Sequence, residues 1–144
     1  MIVSAFNLET FLPYQLAVLS QRVSQGFSRH YRDEYGISVA EWRVVAHLSQ
    51  ESAVSVREIC RRVDMDKPKV SRAASRLEDA GYVIKKTNPQ DRRLVELSLT
   101  SKGRQMVSDL TPRAKAYEDE ILSVLGAQGD EFRALVKALV AAKY

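Results

Sequence analysis

Residues 66–83 read DKPKVSRAASRLEDAGYV, and this stretch decides the fold. Asp66 stands just before the first helical position, where a carboxylate can accept a hydrogen bond from a free N–H of the opening turn. Pro68 falls inside that turn, where its missing N–H costs nothing. Val70, Ala73, Ala74 and Leu77 follow at helical spacing as one apolar stripe, and Lys67, Lys69, Ser71, Arg72, Ser75 and Arg76 take the remaining faces. Gly81 is placed to end the helix in the left-handed conformation.

Upstream, Ser55-Val56-Arg57-Glu58 has the form of a capping box, and Val56, Ile59, Cys60 and Val63 give a second short helix with one buried stripe. Asp64-Met65 must then turn. Two short capped helices, a tight turn and a basic second helix describe a helix-turn-helix, whose second helix enters the DNA major groove. Downstream of Gly81 the periodicity becomes two-residue alternation, with Tyr82 to Lys86 as one strand and Leu94 to Leu99 as the other. Val95, Leu97 and Leu99 point one way, Glu96 and Ser98 the other. The polar turn between the strands makes the hairpin a charged flap, and the unit becomes a winged helix-turn-helix.

The expected roles follow from side-chain chemistry. Arg and Lys neutralise phosphates or bond guanine edges, and Ser hydroxyls reach either a base or a phosphate. Lys69, Ser71, Arg72 and Arg76 are the candidates for groove contact, with Ser75 on the same helix and Lys67 and Pro68 near a phosphate at its start. Arg92 and Arg93 suit the minor groove, oriented by Asp91. Between Ser55 and Arg104 there are thirteen basic and seven acidic residues, against nine basic and eleven acidic in the rest of the chain. The formal net charge of +4 is therefore concentrated where the motif lies.

The flanks read as helices with another task. Phe11 to Tyr35 carries Leu16, Leu19, Val23 and Phe27 at helical spacing and predicts one helix of about 37 Å. Gly36 ends it, and Ser38 with Glu41 forms a capping box for a helix that turns Trp42, Val45 and Leu48 inward and stops near Gln50. From Ser101 to Leu125 helical spacing returns, with Pro112 as an expected kink; Gly126 and Gly129 bracket a break before a closing amphipathic helix with Phe132, Leu135, Val136, Leu139 and Val140. These apolar faces exceed what a 144-residue monomer can cover, so a homodimer is expected. The fold class expected is mainly α with a small β-hairpin. Residues 1–144 form a single domain in this reading, with dimerisation helices at 1–35 and 104–144 around a DNA-binding region at 36–103.

Composition excludes other classes. The single Cys60 rules out a disulfide scaffold. The opening MIVSAFNLET lacks a charged n-region and a long apolar run, and no stretch of about 18 apolar residues occurs, so a cytoplasmic protein without membrane contact is expected. His30 and His47 are the only histidines and lie in no metal-ligand motif, and there is no CxxC, P-loop, GxGxxG or GxSxG. Neither an enzyme nor a cofactor is expected.

Residues 66–72 and 76–83 resemble the recognition helix and glycine stop of the MarR family of transcription regulators, Asn88-Pro89-Gln90-Asp91-Arg92-Arg93 resembles its wing with an Asp-x-Arg pattern, and Leu99-Thr100-Ser101-Lys102-Gly103 resembles the start of its long fifth helix. The order of helices and the position of Trp42 agree as well. This resemblance implies a homodimer joined through its terminal helices, a pseudo-palindromic operator on double-stranded DNA, Arg93 as the wing arginine, and a repressor released by a small organic effector, commonly a phenolic or aromatic acid.

Tyr14, Phe27, His30, Tyr31 and Trp42 are candidates for an aromatic effector pocket, with Arg43 or His30 anchoring a carboxylate; the competing reading is that these aromatics are core. Cys60, on the stripe expected to be buried, is an alternative redox switch if exposed near Arg57, Arg61 and Arg62. A winged-helix protein-interaction module without DNA specificity is a further alternative; it predicts that Arg72 and Arg93 are dispensable.

Overall fold

The structure is a computed structural model and describes residues 5–144; the first four residues of the opening segment read for a leader lie outside the described residues. In chain order the elements are α1 (Leu12–Ser28), α2 (Arg32–Tyr35), α3 (Val39–Leu48), β1 (Val54–Ser55), α4 (Val56–Val63), α5 (Lys67–Asp79), β2 (Val83–Thr87), β3 (Val95–Leu99), α6 (Ser101–Ser123) and α7 (Gly129–Ala141). The three strands form one antiparallel sheet in the order β1-β3-β2. Two compact units meet within α6, after Ser108.

In the first unit, α3, α4 and α5 pack around Val44, Val45, Ile59, Val70, Ala74 and Leu77, none of which has any exposed surface. The Ser38–Glu41 capping box is complete, with Glu41 N–H donating to Ser38 Oγ at 3.2 Å and Ser38 N–H to the Glu41 carboxylate at 3.2 Å. At α4 only half of the expected box forms. Glu58 N–H donates to Ser55 Oγ at 3.1 Å, but the Glu58 carboxylate turns to Arg62 at 3.2 Å and Arg61 at 3.4 Å, since paired guanidinium donors outcompete one backbone N–H.

Between Phe11 and Tyr35 the single helix expected from periodicity is broken. α1 ends at Ser28, and α2 starts at Arg32. Ser28 Oγ–H donates to the Gln25 carbonyl at 2.6 Å, and His30 and Tyr31 N–H groups close tighter turns onto Phe27 and Ser28 at 3.0 and 3.2 Å. The break carries Tyr31 into the core, 1% exposed, where it stacks on Trp42 with ring centroids 5.5 Å apart. Burying a large ring outweighs a turn of helix. Gly36 is left-handed as expected, at φ 68°.

The two-residue strand β1 was outside the reading from sequence. Its residues double as the capping segment of α4, and Val54 and Ser55 pair with Leu97 and Glu96. Along β3 the predicted alternation is seen, Leu97 and Leu99 being buried and Glu96 exposed.

Residues 109–144 form the second unit. Pro112 sits inside α6 without ending it. A single 3-10 turn over Gly126–Gln128 separates α6 from α7, as the two glycines predicted. Arg133 on α7 pairs with Glu118 on α6 at 2.8 Å. The α7 residues Leu135, Val136, Leu139 and Val140 stay exposed, and so do Leu12, Leu16 and Leu19 on α1 of the first unit.

Candidate nucleic-acid interface

The helix-turn-helix is built from α4, a left-handed Asp64 (φ 51°, ψ 40°) and α5. Met65 is buried, and Asp66 Oδ1 accepts the Lys69 N–H at 2.9 Å, so the cap expected at residue 66 is in place. At the far end Gly81 N–H reaches the Glu78 carbonyl at 3.0 Å and Tyr82 N–H the Leu77 carbonyl at 2.9 Å. This paired closure requires a positive φ at Gly81, observed at 86°. Gly103 is required for a different reason, because a side chain there would collide with the Tyr82 carbonyl oxygen. Thr100 ties the same corner: its hydroxyl donates to the Gly81 carbonyl at 2.6 Å and accepts the Gly103 N–H at 3.0 Å. Lys102 adds a bond to the Ala80 carbonyl at 2.7 Å and lies 4.6 Å above the Tyr82 ring.

On α5 the apolar stripe faces inward, while Lys67, Pro68, Lys69, Arg72 and Arg76 are exposed and Ser71 is half-buried. Among the described residues none of these four cations has an ion-pair partner, leaving their charge available to an external anion. Ser75, half-buried like Ser71, has a partner on the hairpin. Its hydroxyl lies 2.7 Å from Lys85 Nζ, and the side chain faces the hairpin.

The turn joining β2 and β3 is ordered by its own side chains. Asn88 Oδ1 accepts N–H groups from Gln90 at 2.8 Å and Asp91 at 3.3 Å, and the Leu94 N–H bonds the Asp91 carbonyl at 3.0 Å. Asp91 Oδ1 accepts both the N–H of Arg93 at 3.1 Å and its Nε–H at 3.2 Å. The Arg93 side chain is 87% exposed, so Asp91 aims a guanidinium that remains open to solvent. Arg92 is exposed too, but Asp91 does not orient it.

Between α4, α5 and the hairpin lies a cavity of about 510 Å³, with Val56, Ala74 and Val95 in its lining. Arg57 and Arg61 of α4 join Lys67, Lys85 and Arg93 around it. The two α4 arginines were not among the sequence candidates. The signal that could have found them is their spacing of four on the first helix of the motif, which places both on one face. Arg62 is held away from this set by Glu51 at 2.7 Å and Glu58 at 3.2 Å, and Arg62 together with Arg61 holds the Glu58 carboxyl below its ordinary range. Cys60 also lines the cavity and is half-buried, not fully buried as expected from its place on the stripe.

The candidates for an effector pocket separate. Phe27, His30, Tyr31 and Trp42 converge, with Phe27 within 5.3–5.7 Å of each of the other three rings, and fill the space between α1 and α3 with their own packing. Burial pushes the Tyr31 hydroxyl up to about 12, opposed by the charges of Arg32 and Arg43. Tyr14 does not join them; it is exposed near the start of α1, about 20 Å along the helix from Phe27. Among the described residues no group of three or more His, Cys, Asp or Glu could hold a metal, and no helix is long and apolar enough to cross a membrane.

Residues 35–94, which span the helix-turn-helix, β2 and the turn that follows it, match the MarR family. Over 140 residues the chain is 29% identical to the HTH-type transcriptional regulator PapX of Escherichia coli, covering 95% of this chain and 85% of PapX. The HTH-type transcriptional repressor MdtR of Bacillus subtilis (strain 168) is 29% identical over 122 residues, covering 85% of this chain and 78% of MdtR. BpsR of Bordetella bronchiseptica, whose DNA binding is regulated by 6-hydroxynicotinic acid, superposes with a TM-score of 0.82 at 20% identity, over 97% of this chain and all of BpsR. With its capped basic helix, Asp91-aimed wing arginine and Thr100–Gly103 corner, this chain is similar to the MarR family of transcriptional regulators and has their winged helix-turn-helix fold.

Proposed function

We propose that the chain works as a cytoplasmic homodimeric repressor that binds a pseudo-palindromic operator and is released by a small organic effector. The observation that carries the reading is the face formed by Lys67, Lys69, Arg72 and Arg76, cations without ion-pair partners among the described residues, on a helix whose apolar side is buried. Beside it stands a wing whose arginine is aimed outward by Asp91. Arg72 and Lys69 read or approach base edges, Lys67 and the N-terminal turn of α5 take phosphate, and Arg93 enters the minor groove. Arg57 and Arg61 extend the phosphate contact along α4. The second copy covers the exposed leucines of α1 and α7 and places two recognition helices about 34 Å apart, one turn of duplex.

The effector is of the aromatic-acid class, and since the cluster at Phe27, Tyr31 and Trp42 is filled by its own packing, an effector near His30 and Arg43 would have to displace one of those rings. The regulated DNA binding of BpsR favours this reading over a thiol switch at Cys60.

Selection of bound sequences from a random duplex pool at two salt concentrations tests the proposal. The expected result is an enriched inverted repeat bound more weakly at high salt. Enrichment of no sequence, with negligible binding to duplex at low salt, would overturn it in favour of a protein-interaction module. The enriched duplex then serves for screening aromatic acids for release.

A further inference from the structure

We propose that Lys85, Ser75 and Glu78 form a clasp that sets the angle of the wing against the recognition helix, with Lys85 a positioning residue for DNA recognition. This rests on the DNA-binding reading above. The hairpin leaves α5 through three residues, Ala80 to Tyr82, with Gly81 at φ 86°. Beyond Tyr82, among the described residues, Lys85 alone hydrogen-bonds the hairpin back to α5. Its N–H donates to Glu78 Oε2 at 3.2 Å, and its ammonium donates to Ser75 Oγ at 2.7 Å and lies 4.0 Å from Glu78 Oε1. Ser75 and Glu78 are one helical turn apart, so one lysine grips the last turn of α5 at two points.

β1 holds β3 at Leu97 and Glu96, opposite Lys85 and Lys86, so the lever runs from Lys85 to Asn88; it is about 10 Å long, and a swing of about 12° moves the wing tip by about 2 Å. A displacement of that size is enough to break a hydrogen bond between Arg93 and a base edge or sugar. Asp91 aims the Arg93 side chain relative to the wing, and the clasp aims the wing relative to α5. The two corrections act in series. Ser75, expected to touch DNA, serves instead as the acceptor that fixes Lys85.

Glu78 gives the test its sign. Removing a carboxylate beside a DNA-binding surface ordinarily strengthens binding, because the protein gains positive charge. The clasp predicts the reverse. Using the duplex enriched from the random pool, Glu78→Ala is expected to weaken binding about tenfold, and Ser75→Ala is expected to act in the same direction. Arg93→Ala is expected to cost less in the Glu78→Ala background than in the unaltered protein, since a misplaced arginine has less to lose. Lys85→Arg keeps both grips and should retain binding. Tighter binding by Glu78→Ala overturns the proposal, as does strict additivity of Glu78→Ala and Arg93→Ala, which is what a merely structural role predicts. A salt slope that falls by about one in Lys85→Met, with additivity to Arg93→Ala, overturns it as well, by making Lys85 a phosphate contact. Failure of the unaltered protein to bind any duplex strikes the DNA reading itself and is seen before any variant is compared.

Discussion

Val70, Ala73, Ala74 and Leu77 on α5 are 0–3% exposed, whereas Leu12, Leu16 and Leu19 on α1 and Leu135, Leu139 and Val140 on α7 are 42–80% exposed. Both sets recur at helical spacing, and both would be read from sequence as buried stripes. The reading head completes its own core from α3, α4, α5 and the sheet. The terminal helices present the same kind of face and leave it uncovered in one copy. Periodicity announces that a helix has an inside; only the fold tells whether that inside belongs to the same chain.

The largest effect should come from breaking the uncovered set. Leu139→Asp puts a charge on a face proposed to be buried between two copies, where it would occur twice by symmetry. Sedimentation should show a monomer, and operator affinity should fall by at least about a hundredfold because the half-sites no longer bind as one unit. A dimer of unchanged strength would move the interface elsewhere. Leu77→Ala attacks the covered set instead. It should lower unfolding stability by about 2–5 kcal/mol in chemical denaturation and leave the association of the folded protein intact. If the two variants exchanged phenotypes, the contrast between the regions would be void.

The sequence was most informative where local chemistry is self-contained. The Asp66 cap, the Gly81 stop, the inward face of β3 and the Asp91–Arg93 bond each depend on residues within a few positions of one another, and each is found as expected. What escaped was decided by distant partners. α1 breaks because Trp42, eleven residues past Tyr31, offers a ring to stack on. Ser75 faces the hairpin because Lys85 reaches it from the next element. β1 exists because β3 lies alongside, which no property of Val54 or Ser55 announces.

Within the reading head the recognition helix and the wing form a finer contrast. Arg72→Ala should cost about 1–3 kcal/mol in operator binding and relax preference at one base pair while leaving the rest of the site unchanged. Arg93→Ala should cost less and show itself differently. A phosphate contact predicts a salt slope reduced by about one, and a minor-groove contact predicts an unchanged slope with lost preference for A·T pairs. Asp91→Ala should reproduce part of the Arg93→Ala loss, because the carboxylate does no more than aim the guanidinium. A full loss from Asp91→Ala with Arg93→Ala silent would reverse the order of the two roles.

The smallest effect concerns His47, on the covered side of the comparison. Burial is the main cause that lowers its ionisation below the ordinary 6.5; the charge of Arg62 lowers it further, and Glu51 opposes the shift. A folded state that binds this proton less readily than the unfolded chain is penalised as protons become abundant. Stability should therefore be complete above pH 6.5 as far as His47 is concerned, and should decline as pH falls from there toward the folded ionisation. His47→Gln removes that part of the acid dependence. Arg62→Ala should raise the His47 titration, followed by its ring proton resonance, and leave it still below 6.5 because the ring stays buried. A full return to 6.5 would make the arginine, held by Glu51 and Glu58 at the edge of the helix-turn-helix, the dominant influence and burial the lesser one.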